Sequence, residues 1–214
     1  MKAYQQRKTM QQIKHKKNYY TPEEYLALED KAEEKSEYFN GEIFTMAGAS
    51  VNHNRIINNL YFILRSAFKT IPQSNCEVFT SDIKVWIEKA NTYTYPDLLI
   101  IKGEPDYVEN RNDMVSNPKI IIEVLSDSTQ SFDRNGKFDI YRTLPSLQEY
   151  LLVSQDKIQI EHFNKLAEKH WEMYEYNETD NRFSLANFPV EMALQDIYEN
   201  VKFKKFLAIE KTQQ

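Results

Sequence analysis

The spacing of apolar positions changes several times along the chain, and each change marks an element. Thr21-Pro22-Glu23-Glu24 reads as a helix start, with Thr21 placed to cap, Pro22 suited to the first helical position and Glu24 completing a capping box. Asn40-Gly41, flanked by Glu37-Tyr38-Phe39 and Glu42-Ile43-Phe44-Thr45-Met46, predicts a hairpin with a type I′ turn. From Asn52 to Lys69 the period becomes helical, and Ile56, Ile57, Leu60, Ile63, Leu64, Ala67 and Phe68 share one face. Three β-like segments follow: Val78 to Ile87, Asp97 to Ile101 and Lys119 to Leu125. The last two are apolar at successive positions, as central strands of a sheet covered on both faces are. Ser131 to Leu144 returns to helical spacing, with Phe132, Ile140, Tyr141 and Leu144 as its buried stripe and Pro145 as its stop. Glu149 to Ser154 is the next strand. Lys157 to Phe163, Trp171 to Tyr176 and Arg182 to Leu185 read as meander strands, and Gln195 to Phe206 as a closing helix.

After the hairpin the order is α-β-β-β-α-β. It predicts an α/β core in which one mixed central sheet is flanked by helices, with an N-terminal hairpin and C-terminal antiparallel strands. No repeat or low-complexity linker divides the chain. The expected organisation is a basic arm over 1–19, a single domain over 20–206 and a tail over 207–214.

Composition narrows the class. At 214 residues, 41% hydrophobic and 28% charged, the chain has the make-up of one soluble domain with its own core. The apolar runs are too short for a bilayer, so no membrane partner is expected. A single cysteine, Cys76, excludes a disulfide framework and a multi-thiolate zinc site. The opening residues lack the apolar stretch of a signal peptide, which predicts a cytoplasmic protein. The net charge is −5, yet Lys2, Arg7, Lys8, Lys14, Lys16 and Lys17 all precede the first acid, Glu23. A basic arm on an acidic body either touches an anionic partner or is a solvated terminus. The acidic body itself does not suit broad binding along a phosphate backbone, which needs Lys and Arg across a face.

Two acids stand out by their positions. Asp97 opens an apolar strand directly after Tyr95-Pro96, and Glu123 interrupts Ile120-Ile121-Ile122-Glu123-Val124-Leu125. A carboxylate in a central strand is costly unless a cation or several donors meet it. Sequential strands usually neighbour each other, and converging carboxylates suit a hard divalent ion such as Mg²⁺ or Mn²⁺. Asp133, Lys137 and Tyr141 recur every four residues on the following helix, so Lys137 can point back over the carboxylates. The plainer alternative is an i,i+4 Asp133–Lys137 pair on a wet helix face. His162 and His170 fall in meander strands with no ligand partner nearby and read as structural.

These residues also carry a resemblance. The hairpin Glu37-Tyr38-Phe39-Asn40-Gly41-Glu42, His53 at the start of the long helix, Tyr95-Pro96-Asp97, Glu123-Val124-Leu125-Ser126, the series Asp133, Arg134, Lys137, Tyr141, and the strand from Glu149 resemble the bacterial Uma-type restriction endonuclease family. That family is a branch of the PD-(D/E)xK superfamily with a restriction-endonuclease-like core, and the likeness runs from about Tyr20 to Tyr198. It implies a metal-dependent endonuclease acting on nucleic acid, with DNA expected, Mg²⁺ or Mn²⁺ as cofactor and a homodimer as the working form. Asp97 and Glu123 match the metal-holding and catalytic acids. The superfamily's lysine two residues after the second acid is replaced here by Leu125, and Lys137 on the next helix takes its place. Glu37 and His53 match further family positions as auxiliaries, while Asp82, from its place near the strands, is a candidate support for the acids. The rival reading is an inactive nuclease-fold module that binds nucleic acid or protein. No Ser-His-Asp elbow, glycine-rich phosphate loop or zinc spacing points to another enzyme class.

Overall fold

The computed structural model describes residues 19–46, 48–109, 111–126 and 132–203. The expected arm up to residue 18 and the tail over 207–214 lie outside the described residues.

Helix α1 (Pro22–Glu29) starts as its sequence dictates: Thr21 accepts from the Glu24 N–H, and Glu24 reaches back to the Thr21 N–H. Strands β1 (Ser36–Phe39) and β2 (Glu42–Thr45) then form the hairpin. Asn40 and Gly41 both adopt positive φ, 43° and 101°, as a type I′ turn requires. Helix α2 (Val51–Thr70) buries Ile56, Ile57, Leu60, Leu64 and Phe68 on the predicted face. Next come β3 (Cys76–Thr80), β4 (Lys84–Ile87), β5 (Thr92–Thr94), β6 (Leu98–Lys102), β7 (Met114–Val115) and β8 (Ile120–Leu125). A π turn over Asp133–Lys137 leads into the short α3 (Phe138–Tyr141). The chain continues through β9 (Glu149–Ser154), β10 (Gln159–Ala167), β11 (His170–Asn177), β12 (Arg182–Ser184), β13 (Glu191–Ala193) and α4 (Leu194–Ile197).

The central sheet has the order β11-β10-β9-β8-β6-β3, and only the β8–β9 pair within it is parallel. This is the expected mixed sheet, with β6 and β8 in its middle as neighbours. Alternation along the strands divides two cores. Leu98, Ile100, Ile120 and Ile122 face α2, whereas Leu99, Ile101, Ile121 and Leu152 pack with Tyr141, Leu144 and β4. Leu60 and Leu64 of α2 are fully buried, and truncating either to Ala would cost about 2–5 kcal/mol.

Three expectations need correction. The segment Val78 to Ile87 is two strands, because the chain turns at Thr80, whose carbonyl accepts from the Asp82 and Ile83 N–H groups. After that corner β4 joins a second sheet, β2-β1-β5-β4-β7, which the sequence pattern did not reveal. The helix expected over Ser131 to Leu144 opens as a π turn and ends near Tyr141, with Ile140 only half-buried. The closing helix is one turn, Leu194–Ile197, and Asn200 at φ 62° follows in the left-handed region, which a helix cannot continue through. No described helix is long and apolar enough to cross a membrane.

Candidate active site

Register brings the two strand acids together. Leu98 pairs with Ile122, so Asp97 and Glu123 stand one step beyond that pair on adjacent strands. The ladder ends there, and Asp97 extends it through its side chain: Oδ2 accepts from the Val124 N–H at 2.7 Å. Oδ1 accepts from His53 Nε2 at 3.0 Å. His53 sits in the first turn of α2, where Ser50 caps the helix by accepting from the His53 N–H. Its Nδ1 is buried without a hydrogen-bond partner among the described residues.

Glu123 is met from the other side. Its Oε1 accepts from Lys137 Nζ at 2.9 Å and from the Tyr141 hydroxyl at 2.8 Å, and that hydroxyl lies 3.1 Å from Thr94 Oγ1. Lys137 Nζ also lies 3.2 Å from Glu37 Oε1 and 3.6 Å from Asp133 Oδ1. Glu37, in β1, accepts from the Tyr95 N–H at 3.3 Å, which ties the hairpin to the segment leading into Asp97. The π turn brings Asp133 and Lys137 onto one side of the helix; such turns recur at functional sites. It closes tightly, since a Cβ on Gly136 would stand 2.2 Å from the Phe132 ring.

Asp97, Glu123, Lys137, Glu37, Asp133 and His53 line one cleft of about 670 Å³ together with Lys35, Ser50 and Gln155. Its charge is unbalanced: among the described lining residues, Glu34, Glu37, Asp97, Glu123 and Asp133 face Lys35 and Lys137. Burial pushes the Glu123 carboxyl up from its ordinary value; Lys137 opposes this, and Asp97, Asp133 and Glu37 add to it. Burial works against the Lys137 charge, but Glu123, Glu37 and Asp133 hold the ammonium well above its ordinary value. A site with this excess of carboxylate oxygen suits a hard divalent cation. No group of three or more His, Cys, Asp or Glu stands ready as a metal cage among the described residues. The fit is therefore to an ion that takes Asp97 and Glu123 and completes its shell with water and phosphate oxygen, as Mg²⁺ commonly does.

The structure thus gathers Asp97, Glu123, Lys137, Glu37 and His53 into one place. The surface-pair alternative for Asp133 and Lys137 is overturned, because both side chains are buried. Asp82 is a correction. It lies in the exposed turn after β3 rather than on a strand beside the acids, and its carboxylate pairs with Lys35, which also donates to the Ser81 carbonyl. His162, read as structural, is buried and paired with Glu149 at 2.6 Å, whereas His170 is exposed in β11. Sequence reasoning placed Tyr141 on the right face but gave its hydroxyl no task. It missed Ser50 and Gln155; the serine three residues before His53 was a legible capping signal, while nothing in the sequence marked the glutamine.

Comparisons with known proteins bear on the family and the fold. A family model described as "Uma2: Putative restriction endonuclease" matches residues 22–195. Two proteins of Synechocystis sp. (strain ATCC 27184 / PCC 6803 / Kazusa) are similar. The uncharacterized protein sll1609 is 45% identical over 151 residues, 71% of this chain and 84% of its own length. The uncharacterized protein slr1290 is 34% identical over 183 residues, 86% of this chain and 93% of its own. The crystal structure of a "putative nuclease belonging to DUF820" from Anabaena variabilis ATCC 29413 matches with a TM-score of 0.63 at 20% identity, covering 84% of this chain and 97% of that one. At that identity the likeness is one of fold.

Proposed function

The chain belongs to the Uma2 family, and from that premise we propose that it is a metal-dependent endonuclease that hydrolyses phosphodiester bonds in DNA, working in the cytoplasm as a homodimer. The observation that carries this reading is the meeting of Asp97 and Glu123 on adjacent strands of one cleft, with the Lys137 ammonium on Glu123.

Asp97 and Glu123 are the residues to hold Mg²⁺ or Mn²⁺. Such an ion, when bound, supplies a water of lowered pKa and polarises a phosphoryl oxygen. Lys137, fixed by Glu37, Glu123 and Asp133, presents a cation at the cleft that orients the attacking water and offsets charge on the phosphoryl oxygens. His53 serves as a positioning residue: its Nε2 is spent on Asp97 and its Nδ1 is enclosed, so it sets the plane of that carboxylate. Asp82, exposed and paired with Lys35, has no part in this arrangement. Cutting both strands of a duplex needs two such sites, which a two-fold dimer provides.

One observation favours the inactive-module reading: Lys137 is already engaged with three carboxylates. Thermal stability against Mg²⁺ and Mn²⁺, for wild type and for Asp97→Asn/Glu123→Gln, followed by plasmid nicking, separates the two. Metal stabilisation and nicking by wild type, both lost in a folded double variant, support the nuclease. Absence of any metal response and any cleavage in wild type overturns it in favour of a binding module.

A further inference from the structure

Helix α2 carries Arg55, Arg65 and Lys69 and neither Asp nor Glu along its 20 residues, in a chain whose net charge is −5. Its inner face is spent on the core through Ile56, Leu60, Leu64 and Phe68. Its outer face is left to solvent. There Asn54, Asn58, Tyr61, Arg65 and Lys69 succeed one another every three or four residues and form one exposed stripe, with Phe62 beside it. Phe62 is 71% exposed. Glu77 and Glu104 share a surface groove with Arg65 and Lys69, yet neither cation forms an ion pair with a carboxylate among the described residues.

The stripe starts at the cleft. Asn54 lines it, and His53, the residue before, holds Asp97. From Asn54 to Lys69 the helix rises ~22 Å, the length of about six base-pair steps of duplex DNA. The side chains suit that partner. Arg and Lys neutralise phosphates, and Asn and Tyr donate hydrogen bonds to phosphate and sugar oxygens. A single exposed ring is ordinary on a protein surface, but Phe62 stands three residues before Arg65. Aromatic rings interleaved with cations are what tracks for nucleic-acid strands use, the ring lying against a sugar or an unpaired base.

We infer that the exposed stripe of α2 is a track for the backbone of DNA leading into the cleft, with Arg65 and Lys69 on phosphates beyond the scissile bond and Phe62 packed against the strand. This inference deepens the nuclease reading of the cleft and rests on it. The carboxylates of the cleft repel phosphate, so attraction has to come from outside it. A narrow basic stripe supplies that attraction in a body that offers no broad basic face. The competing occupant is a second copy of this chain. A two-fold contact centred on the stripe would bring Arg65 and Lys69 close to their own counterparts, and like charges oppose it.

Binding of a labelled DNA duplex longer than the helix, followed by anisotropy in Ca²⁺ over a series of KCl concentrations, tests the track. Arg65→Gln/Lys69→Gln removes both charges from exposed positions and keeps good helix formers. It should bind about tenfold more weakly, and its slope of log affinity against log salt should be shallower by about two. Lys69 lies in the last turn, where its charge also favours the helix dipole, so Arg65→Gln alone is the second variant, with the slope shallower by about one. Phe62→Ser should weaken binding about fivefold at an unchanged slope, since it removes a contact without charge. Lys89→Gln, in the exposed turn Glu88–Ala90 after β4, should change neither affinity nor slope. Wild-type affinity and slope in Arg65→Gln/Lys69→Gln overturn the track, even where nicking that is lost in Asp97→Asn/Glu123→Gln shows the nuclease reading to be sound. An equal loss in Lys89→Gln also overturns it, because attraction would then follow net charge alone, and so does a wild type that binds no duplex. A dimer dissociated by Phe62→Ser, with DNA affinity unaltered in Arg65→Gln/Lys69→Gln, makes the face a contact between copies and overturns it as well. Stripe-dependent binding by a wild type that never nicks DNA keeps the track and removes the chemistry.

Discussion

Lys137 Nζ stands 2.9 Å from Glu123 Oε1, an ion pair formed inside the protein between a π turn and the middle of a central sheet. Both side chains are more than nine-tenths buried, so each charge depends on the other, and the Lys137 charge also on Glu37 and Asp133. Removing one partner of such a set leaves uncompensated charge in a medium that cannot stabilise it. The pair consequently fixes the helix to the sheet as well as placing an ammonium at the cleft.

Lys137→Met, which keeps the stem and removes the charge, should lower unfolding free energy by about 3–5 kcal/mol in denaturant titration. Adding Glu123→Gln should recover part of that loss, because the repulsion among the remaining carboxylates falls. Strict additivity of the two substitutions would show that the contact contributes no coupling.

Tyr141→Phe deletes the hydroxyl that donates to Glu123 at 2.8 Å and leaves the buried ring in place. The expected cost to stability is about 1–2 kcal/mol. If Glu123 holds the divalent ion, its orientation also loosens, and the Mg²⁺ or Mn²⁺ concentration giving half the thermal shift should rise about tenfold. An unchanged metal midpoint alongside the stability loss would restrict Tyr141 to packing.

Much of this arrangement was legible because it depends on local rules. The capping box at Thr21, the Asn40-Gly41 turn and the stripe on α2 are each set by neighbours within a few residues. Asp97 and Glu123 were conspicuous because an acid among isoleucines and leucines needs a reason. The split at Thr80 was not legible, since Val78 to Ile87 has the same β-favouring make-up on both sides of the corner and the second sheet assembles from distant strands. Asp82 was misplaced for the same reason. Gln155 could not be found, because its meaning comes from Ser50, 105 residues away.

Gly136 lies where the π turn closes against Phe132, whose ring stacks edge-on against Phe39 with centroids 5.5 Å apart. Helix propensity alone predicts that Gly136→Ala would stabilise by about 1 kcal/mol. The 2.2 Å approach of the new Cβ to the ring predicts the opposite, a loss of about 1–3 kcal/mol, because Phe132 is itself buried and must shift. The displaced turn should also carry Lys137 away from Glu123, visible as reduced nicking by folded protein. A melting temperature above wild type would show that the turn relaxes without strain.

Glu149 makes the chain's acid response partly predictable. It is fully buried at the start of β9, where it accepts from His162 Nε2 at 2.6 Å, the Asn187 N–H at 2.8 Å and the Ala186 N–H at 3.0 Å. Burial pushes its carboxyl up, but the hydrogen bond and charge of His162 and the two backbone donors outweigh burial, so the group lies below its ordinary 4.5. A carboxyl held lower in the folded than in the unfolded chain binds its proton less tightly when folded. Its contribution is therefore complete above the ordinary value and is lost as pH falls through the folded value. Glu149→Gln should cost about 3 kcal/mol at neutral pH, and the gap between wild type and variant should narrow steadily below about pH 4.5. Urea unfolding of both proteins across that range checks the sign: a gap that widens on acidification would mean that the buried carboxyl is protonated in the folded chain.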